Sequence, residues 1–430
     1  MELCVVGLGK IGLPIAVQAA GSGIRVRGID IQPAVVEQVN ASREPFPGEP
    51  GLGDRLKAVV GAGRLTATTE VASAVSVSAA VIVVVPLLVG DDDRPEFGFL
   101  DAATEAIGSA LSPGTLVSYE TTMPVQTTRK RLAPMLAELS GLELGKDLFV
   151  VHSPERVYSG RVFADLRRYP KLVGGIDAES TRRGVDLYES ILQFDERNDL
   201  SRANGVWALG SVEAAEFAKL AETTYRNVNI GLANEFAVYA ESHGLDVHEV
   251  IEASNSQPFS AIHQPGVAVG GHCIPVYPKF YLANDPAAEL PAASIRVNEA
   301  MPKKVVETIR SRMGSLNGRR VVVLGAAYRG GVRETAFSGV FPLVRELEAV
   351  EAIPLVHDPL YDDRELRLMG LKPYHLGESC DVAVLQAAHE EYRSLSPADL
   401  PEINLFYDGR AAMDPDRWLG VQFIQLGKGA

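Results

Sequence analysis

Few folds accept the pattern at residues 3–30. An apolar run, Leu3–Val6, leads directly into Gly7-Leu-Gly9-Lys-Ile-Gly12, and an apolar helical pattern follows from Leu13 through Ile15, Ala16 and Ala19–Ala20. A second short run, Arg25–Ile29, ends at Asp30, 18 residues after Gly12. Strand, glycine turn, helix and strand in that order make a βαβ unit, and each glycine meets a separate need. Gly7 makes the turn, Gly9 lets a pyrophosphate approach the backbone, and Gly12 lets the helix sit close on the strand. The helix N-terminus turns its partial positive charge towards the phosphates. Asp30 accepts hydrogen bonds from adenosine ribose hydroxyls and repels a 2′-phosphate, which favours NAD over NADP.

The alternation continues beyond this unit. Val81–Val85 is an apolar run ending at Pro86, Thr115–Tyr119 ends in Glu120-Thr-Thr-Met-Pro124, and Leu148–Val151 ends in His152-Ser-Pro-Glu-Arg156. Near-continuous apolar strands separated by helical segments predict a parallel, doubly wound sheet buried on both faces. Ligands of such sheets sit beyond the carboxyl ends of the strands, where Thr122 and Glu155 fall; both are candidate site residues. The acidic run Asp91–Asp93 reads as solvated loop, because no histidine or fourth carboxylate stands near it to complete a metal site.

Composition narrows the function further. A net charge of −14 over 430 residues argues against a general electrostatic grip on nucleic acid or an anionic membrane. The most apolar run, Ala79–Val89, is too short to span a bilayer and contains Pro86. Residues 2–6 already read as a strand, so no signal peptide is expected. Cys4, Cys273 and Cys380, odd in number and widely spaced, fit free thiols in a reducing cytoplasm.

The middle of the chain carries two features. From about Val212 to Ser242 it reads as one long helix, with Ser211 as N-cap and Gly244 as stop. Glu216, Lys219, Thr223, Asn227, Ile230 and Asn234 form a stripe too polar for a core. Phe217, Leu220, Val228, Leu232 and Phe236 supply apolar contact on other faces, enough to suggest dimerisation through this helix. Val267–Phe280, V-A-V-G-G-H-C-I-P-V-Y-P-K-F, then holds Cys273 in a loop whose glycines permit close approach of a ligand and whose prolines block helix. The last third echoes the first. Strand Arg320–Leu324 ends in Gly325-Ala-Ala-Tyr-Arg-Gly-Gly331 and strand Ile353–Val356 in Asp358-Pro359. That is a second α/β domain without the GxGxxG, in which Arg329, Arg333 and Arg410 could meet phosphates.

Together these motifs resemble the UDP-glucose/GDP-mannose dehydrogenase family across essentially the whole chain. The resemblance is carried by V-V-G-L-G-K-I-G-L-P, E-T-T-M-P-V, S-P-E-R-V and A-E-F-A-K-L-A-E-T-T-Y-R-N-V-N-I-G-L-A-N-E. G-G-H-C-I-P, V-L-G-A-A-Y-R-G-G-V and V-H-D-P complete the set. V-N-I-G-L-A-N-E and S-P-E-R look most like the branch acting on UDP-N-acetylhexosamines. The resemblance implies two Rossmann-like doubly wound domains joined by a long helix in an all-helical middle domain, bounded at 1–200, 201–300 and 301–430. It implies a cytoplasmic homodimer that uses NAD and needs no metal to oxidise the C6 alcohol of a UDP-sugar to a carboxylate by two hydride transfers. The aldehyde formed first is attacked by the Cys273 thiolate, and the resulting thiohemiacetal is oxidised to a thioester that water hydrolyses. Lys219 favours the thiolate and stabilises oxyanions, Glu155 is the general base, and Thr122 handles the attacking water. Around the cofactor it places Gly7, Gly9, Lys10, Ile11, Gly12, Asp30, Pro86 and Thr122. Around the substrate it places Glu155, Arg156, Val157, Lys219, Arg226, Asn227, Gly270, Gly271, Tyr328 and Arg329.

Two positions depart from the family pattern: Thr223 stands where asparagine is usual, and Tyr277 where aspartate is usual. Both belong to the catalytic set. The departures leave open UDP-glucose as substrate, a single oxidation stopping at the aldehyde, and a nucleotide-sugar binding protein without turnover. A β-hydroxyacid dehydrogenase would share the first domain and a catalytic lysine but explains neither Cys273 nor the third domain.

Overall fold

The computed structural model describes residues 2–429. The chain divides into two compact units. One runs through Glu222 and takes in Lys279–Asn284; the other comprises Thr223–Pro278 and everything from Asp285 on.

The first unit is built on strands β1 (Glu2–Val6), β2 (Arg25–Ile29), β3 (Leu65–Thr68), β4 (Ala80–Val83), β5 (Thr115–Tyr119), β6 (Leu148–His152), β7 (Lys171–Gly175) and β8 (Val206–Ala208). Their spatial order is β8-β7-β6-β5-β4-β1-β2-β3. Leu3, Cys4, Val5 and Val6 are all buried, as a strand covered on both faces requires. Helix α1 (Gly12–Gly21) packs in the same core through Leu13, Ile15, Ala16 and Val17. The sheet departs from the all-parallel expectation at one seam. β7 pairs antiparallel with β6, Val151 opposite Gly175 and His152 opposite Gly174, and β8 then runs parallel to β7. The reversal brings the first residue of β7, Lys171, to the edge of the sheet where β5 and β6 end. Helix α2 (Ala178–Ile191) follows, its N-terminus capped by Asp177, which accepts from Ser180 N.

Helix α3 (Val212–His243) begins where Ala214 N donates to Ser211 Oγ and stops before Gly244, whose φ is +69°. Its polar stripe departs from the sequence-based expectation, which kept it out of a core. Glu216, Lys219, Thr223, Asn227 and Asn234 are buried, whereas Phe217, Tyr225, Leu232, Phe236 and Tyr239 are exposed. The polar stripe tolerates burial because its members meet polar partners.

In the second unit, α4 (Val247–Asn255), the cysteine loop and the long α6 (Glu289–Met313) surround the C-terminal part of α3; α5 (Tyr277–Asn284) starts four residues after Cys273, and its residues from Lys279 on belong to the first unit. Asn227 Nδ2 donates to Ile274 O (3.0 Å), and Asn227 Oδ1 accepts from Ser294 Oγ (2.8 Å). Asn234 donates to Asn298 Oδ1 (2.9 Å) and accepts from Gly266 N (2.9 Å). This amide ladder fastens α3 to α6 and to the chain on either side of Cys273. The unit continues with β9 (Arg320–Leu324), α7 (Val340–Ala349), β10 (Ile353–His357), β11 (Val382–Leu385), β12 (Leu405–Asp408) and β13 (Gln422–Gln425). The five strands form an all-parallel sheet in the order β10-β9-β11-β12-β13, the second nucleotide-binding-type fold.

Candidate functional site

The glycine cradle sits at the carboxyl end of β1, beside the switch point between β1 and β4. Gly7 has φ +93°, and a Cβ there would lie 2.7 Å from Val84 O; a Cβ on Gly12 would lie 1.8 Å from Gly7 O. Both positions exclude any side chain. Gly9 differs, since a Cβ there would meet nothing within 4 Å, leaving open space where a pyrophosphate would pass. No side chain caps α1 and no acidic residue lies in its first turn, so its N–H groups face an incoming anion without a competitor. Asp30 accepts from Leu8 N (3.0 Å) and Gln32 N (2.9 Å), which fixes the carboxylate at the end of β2. Lys10 and Pro86 are exposed and Ile11 half-buried around this cradle. These residues fit a dinucleotide.

At the neighbouring strand ends, Thr122 is buried and Glu155 keeps 12% of its side chain exposed. Glu155 stands beside a lysine that sequence reasoning did not single out. Lys171 Nζ donates to Glu155 Oε2 at 2.9 Å and lies 3.2 Å from Glu120 Oε2. Tyr188 OH, from α2, donates to Glu120 Oε1 (2.6 Å) and pairs with Ser118 Oγ (2.7 Å). Burial opposes ionisation of Glu155, but the Lys171 ammonium, a hydrogen bond with Glu120 and the Arg156 N–H outweigh it, holding the carboxyl below its usual range. Burial dominates at Glu120 and pushes it up to about 7 despite Lys171, with the Glu155 charge adding to the rise. The hint available in the sequence was a lysine opening the otherwise apolar strand K-L-V-G-G. The antiparallel seam that gives it meaning has no local signature. Arg156 donates to Glu222 Oε2 (2.8 Å) and Pro170 O (3.3 Å), and Val157 packs against the core.

Lys219 lies buried in the first-unit part of α3, one turn after Glu216. Glu216 accepts from Gln126 N (2.6 Å) and Thr128 N (2.8 Å), tying the segment after Thr122 to that helix. Asp93, in the acidic loop, is ion-paired with Lys279 at 2.7 Å.

The second unit holds the cysteine loop. Cys273 is a free thiol, half-buried; its carbonyl accepts from Tyr277 N (2.9 Å), which starts α5. Gly271 N donates to Ala336 O (2.9 Å). A Cβ on Gly270 would sit 2.7 Å from Tyr328 Cβ, and Gly271 has φ +87° with the Tyr328 ring 3.1 Å from its Cβ position. Tyr328 therefore packs on the glycine pair before Cys273, and Arg329 Nε reaches its hydroxyl (3.2 Å) while staying exposed. Thr223 and Asn227 are buried on α3, and Arg226 is half-buried. Two of the three arginines that could meet phosphates have protein acceptors. Arg410 donates to Gln386 O (2.5 Å) and Gln386 Oε1 (3.1 Å), and Arg333 pairs with Glu365 and Leu360 O.

A glycine cradle with an acid at the next strand end, and a second nucleotide-binding-type sheet, define an NAD-dependent oxidoreductase acting on a nucleotide-linked substrate. Three family models match in order: the NAD-binding domain over residues 1–192, the central domain over 213–301 and the UDP-binding domain over 322–415. The chain belongs to the UDP-glucose/GDP-mannose dehydrogenase family and is an NAD-dependent nucleotide-sugar dehydrogenase. It is 34% identical over 403 residues to the UDP-N-acetyl-D-mannosamine dehydrogenase of Pyrococcus horikoshii, covering 92% of this chain and 91% of that protein. A solved structure of the UDP-D-ManNAc dehydrogenase from that organism matches with TM-score 0.87 at 31% identity, over 99% of both chains. The UDP-N-acetyl-mannosamine dehydrogenase of Staphylococcus aureus matches with TM-score 0.86 at 28% identity, over 100% of this chain and 99% of that one.

Proposed function

We propose that the chain oxidises the C6 alcohol of a UDP-N-acetylhexosamine, UDP-ManNAc or UDP-GlcNAc, to the carboxylate. The observation that carries this reading is the near full-length correspondence with UDP-N-acetyl-D-mannosamine dehydrogenases. Two NAD molecules, bound in turn, would each accept one hydride. Glu155, kept ionised, takes a proton as general base, and Thr122 orients water. Lys219 supplies positive charge to developing oxyanions. Cys273, held in its loop by the Asn227–Ile274 and Tyr277–Cys273 bonds, is the nucleophile that carries the acyl group until water releases it. Lys10, Ile11, Asp30 and Pro86 bind cofactor; Arg156, Val157, Arg226, Asn227, Gly270, Gly271, Tyr328 and Arg329 bind substrate. The domain bounds 1–200, 201–300 and 301–430 belong to the same proposal. The exposed apolar face of α3 supports a homodimer, and the free thiols support a cytoplasmic location.

The test is NADH counted per sugar nucleotide across UDP- and GDP-sugars. Two NADH and a uronate from a UDP-N-acetylhexosamine are expected. No reduction with any sugar nucleotide would sink the reading, and turnover of UDP-glucose alone would move the substrate. Thr223 and Tyr277 favour one second reading, oxidation that stops at the aldehyde; one NADH with a trappable carbonyl would mark it.

A further inference from the structure

The Glu120–Lys171–Glu155 cluster is arranged for more than ion pairing. One ammonium faces two carboxyls: the donation to Glu155 Oε2 is a hydrogen bond at 2.9 Å, and the approach to Glu120 Oε2 at 3.2 Å is an ion-pair contact. Glu120 is fully buried, and among the described residues its Oε2 accepts no hydrogen bond. Oε1 is satisfied by Tyr188. Three charged or titratable groups act on Glu120. Lys171 comes from β7, Glu155 from the loop after β6, and Tyr188 from α2, with His152 at the end of β6 completing the surroundings of Lys171. His152 is fully buried with both ring nitrogens unpartnered; burial first, and then Lys171, lower it to about 3, so it stays neutral. Tyr188 is held far above its usual range by burial and stays a donor.

With one ammonium and two carboxyls, the pocket is electrically neutral only when one carboxyl keeps a proton. Low dielectric surroundings favour that neutral form, because like charges sharing a site cannot both ionise cheaply. Glu120, the deeper of the two, keeps the proton. Glu155, with its residual exposure, is the one that meets solvent.

We propose that Glu120 is a positioning residue that sets the basicity of Glu155: protonated, it donates to Glu155 and weakens it as a base; ionised, it repels charge at Glu155 and strengthens it. The proton released on ionisation passes to solvent, and Lys171 stays charged throughout. This rests on Glu155 being the general base of the proposed reaction. Glu120 touches neither substrate nor cofactor and acts through Glu155 alone.

The experiment is a kcat–pH profile from about pH 5.5 to 9 for the wild type, Glu120→Gln and Tyr188→Phe. Infrared titration of protonated carboxyl bands in the same proteins, without substrate, accompanies it. In the wild type a limb near neutral pH raises kcat, and a carboxyl band disappears over the same range. Glu120→Gln, a permanently neutral donor, removes both the limb and the band, with kcat lower by roughly tenfold at alkaline pH and little changed at the acid end. Tyr188→Phe deletes the donor that favours ionised Glu120 and moves limb and band together to higher pH. A Glu120→Gln profile parallel to the wild type, or an unchanged band, overturns the proposal. If no sugar nucleotide is oxidised, the functional reading fails on its own, and the infrared titration still decides whether Glu120 holds the buried proton.

Discussion

Replacing Lys171 by methionine removes the ammonium and keeps most of the stem. The side chain is 5% exposed and serves two carboxylates, so solvent cannot take over its role. Breaking a buried pair by removing one partner costs about 3–5 kcal/mol. The cost depends on pH, and its sign follows from proton counting. Unfolded carboxyls release their protons above about pH 4.5. The wild-type fold already retains one proton, on Glu120, up to about pH 7. Without Lys171 the fold must retain a second, on Glu155, so the variant loses stability with rising pH faster than the wild type. The gap widens by about 1.4 kcal/mol per pH unit between about pH 4.5 and pH 7, about 3.5 kcal/mol over that range. Denaturant titrations at about pH 5, 6.5 and 8 would measure it. The chain has only two tryptophans. Trp207 lies on β8, next to β7, and Trp418 lies in the second unit, packed on Phe406. Trp207 fluorescence in a Trp418→Phe background therefore reports the unit that holds the cluster. A gap of equal size at pH 5 and pH 8 would refute the proton argument, and no gap at all would refute the ion pairs.

Gly9→Ala should leave melting unchanged to within about 0.5 kcal/mol, since its Cβ meets nothing, yet weaken NAD binding at least about tenfold by calorimetry; unchanged affinity would place the pyrophosphate elsewhere. Glu155→Gln should lower kcat by roughly 10²–10⁴-fold with NAD affinity intact, checked by steady-state NADH formation. Asn234→Ala strands Gly266 N and the Asn298 amide oxygen and should cost about 3 kcal/mol, read by Trp418 fluorescence; a cost below about 1 kcal/mol would mean that water replaces the amide.

Much of the fold was legible because it is written locally. The β1 run, the three cradle glycines and Asp30 are contiguous in sequence, and each glycine has a short-range steric reason that the structure reproduces. The polar stripe of α3 was recognised, but its burial was not. Helical periodicity shows which residues share a face. It does not show that Asn227, Asn234, Ser294 and Asn298, separated by up to 71 residues, satisfy one another. Lys171 and Glu120 escaped for a related reason. Each is an ordinary charge at a strand end, and only the reversed pairing of β7 puts them together. The segment between His152 and Lys171 holds one short helix, Val162–Arg168, and no local pattern in it marks the reversal.

That reversed strand also decides how the chain can vary. Moving β7 by one residue along β6 would turn Lys171 to the other face of the sheet, and moving it by two would carry its ammonium about 7 Å away. What prevents sliding lies at the far end of the strand. A Cβ on Gly174 would sit 2.1 Å from Ser211 O, and one on Gly175 would sit 2.4 Å from Thr181 N. Two side-chain-free residues thus act as the detent of a ratchet. A substitution at Gly174 would behave in the assay as an active-site change although it touches no reacting atom, and a screen for altered pH optimum would find it there.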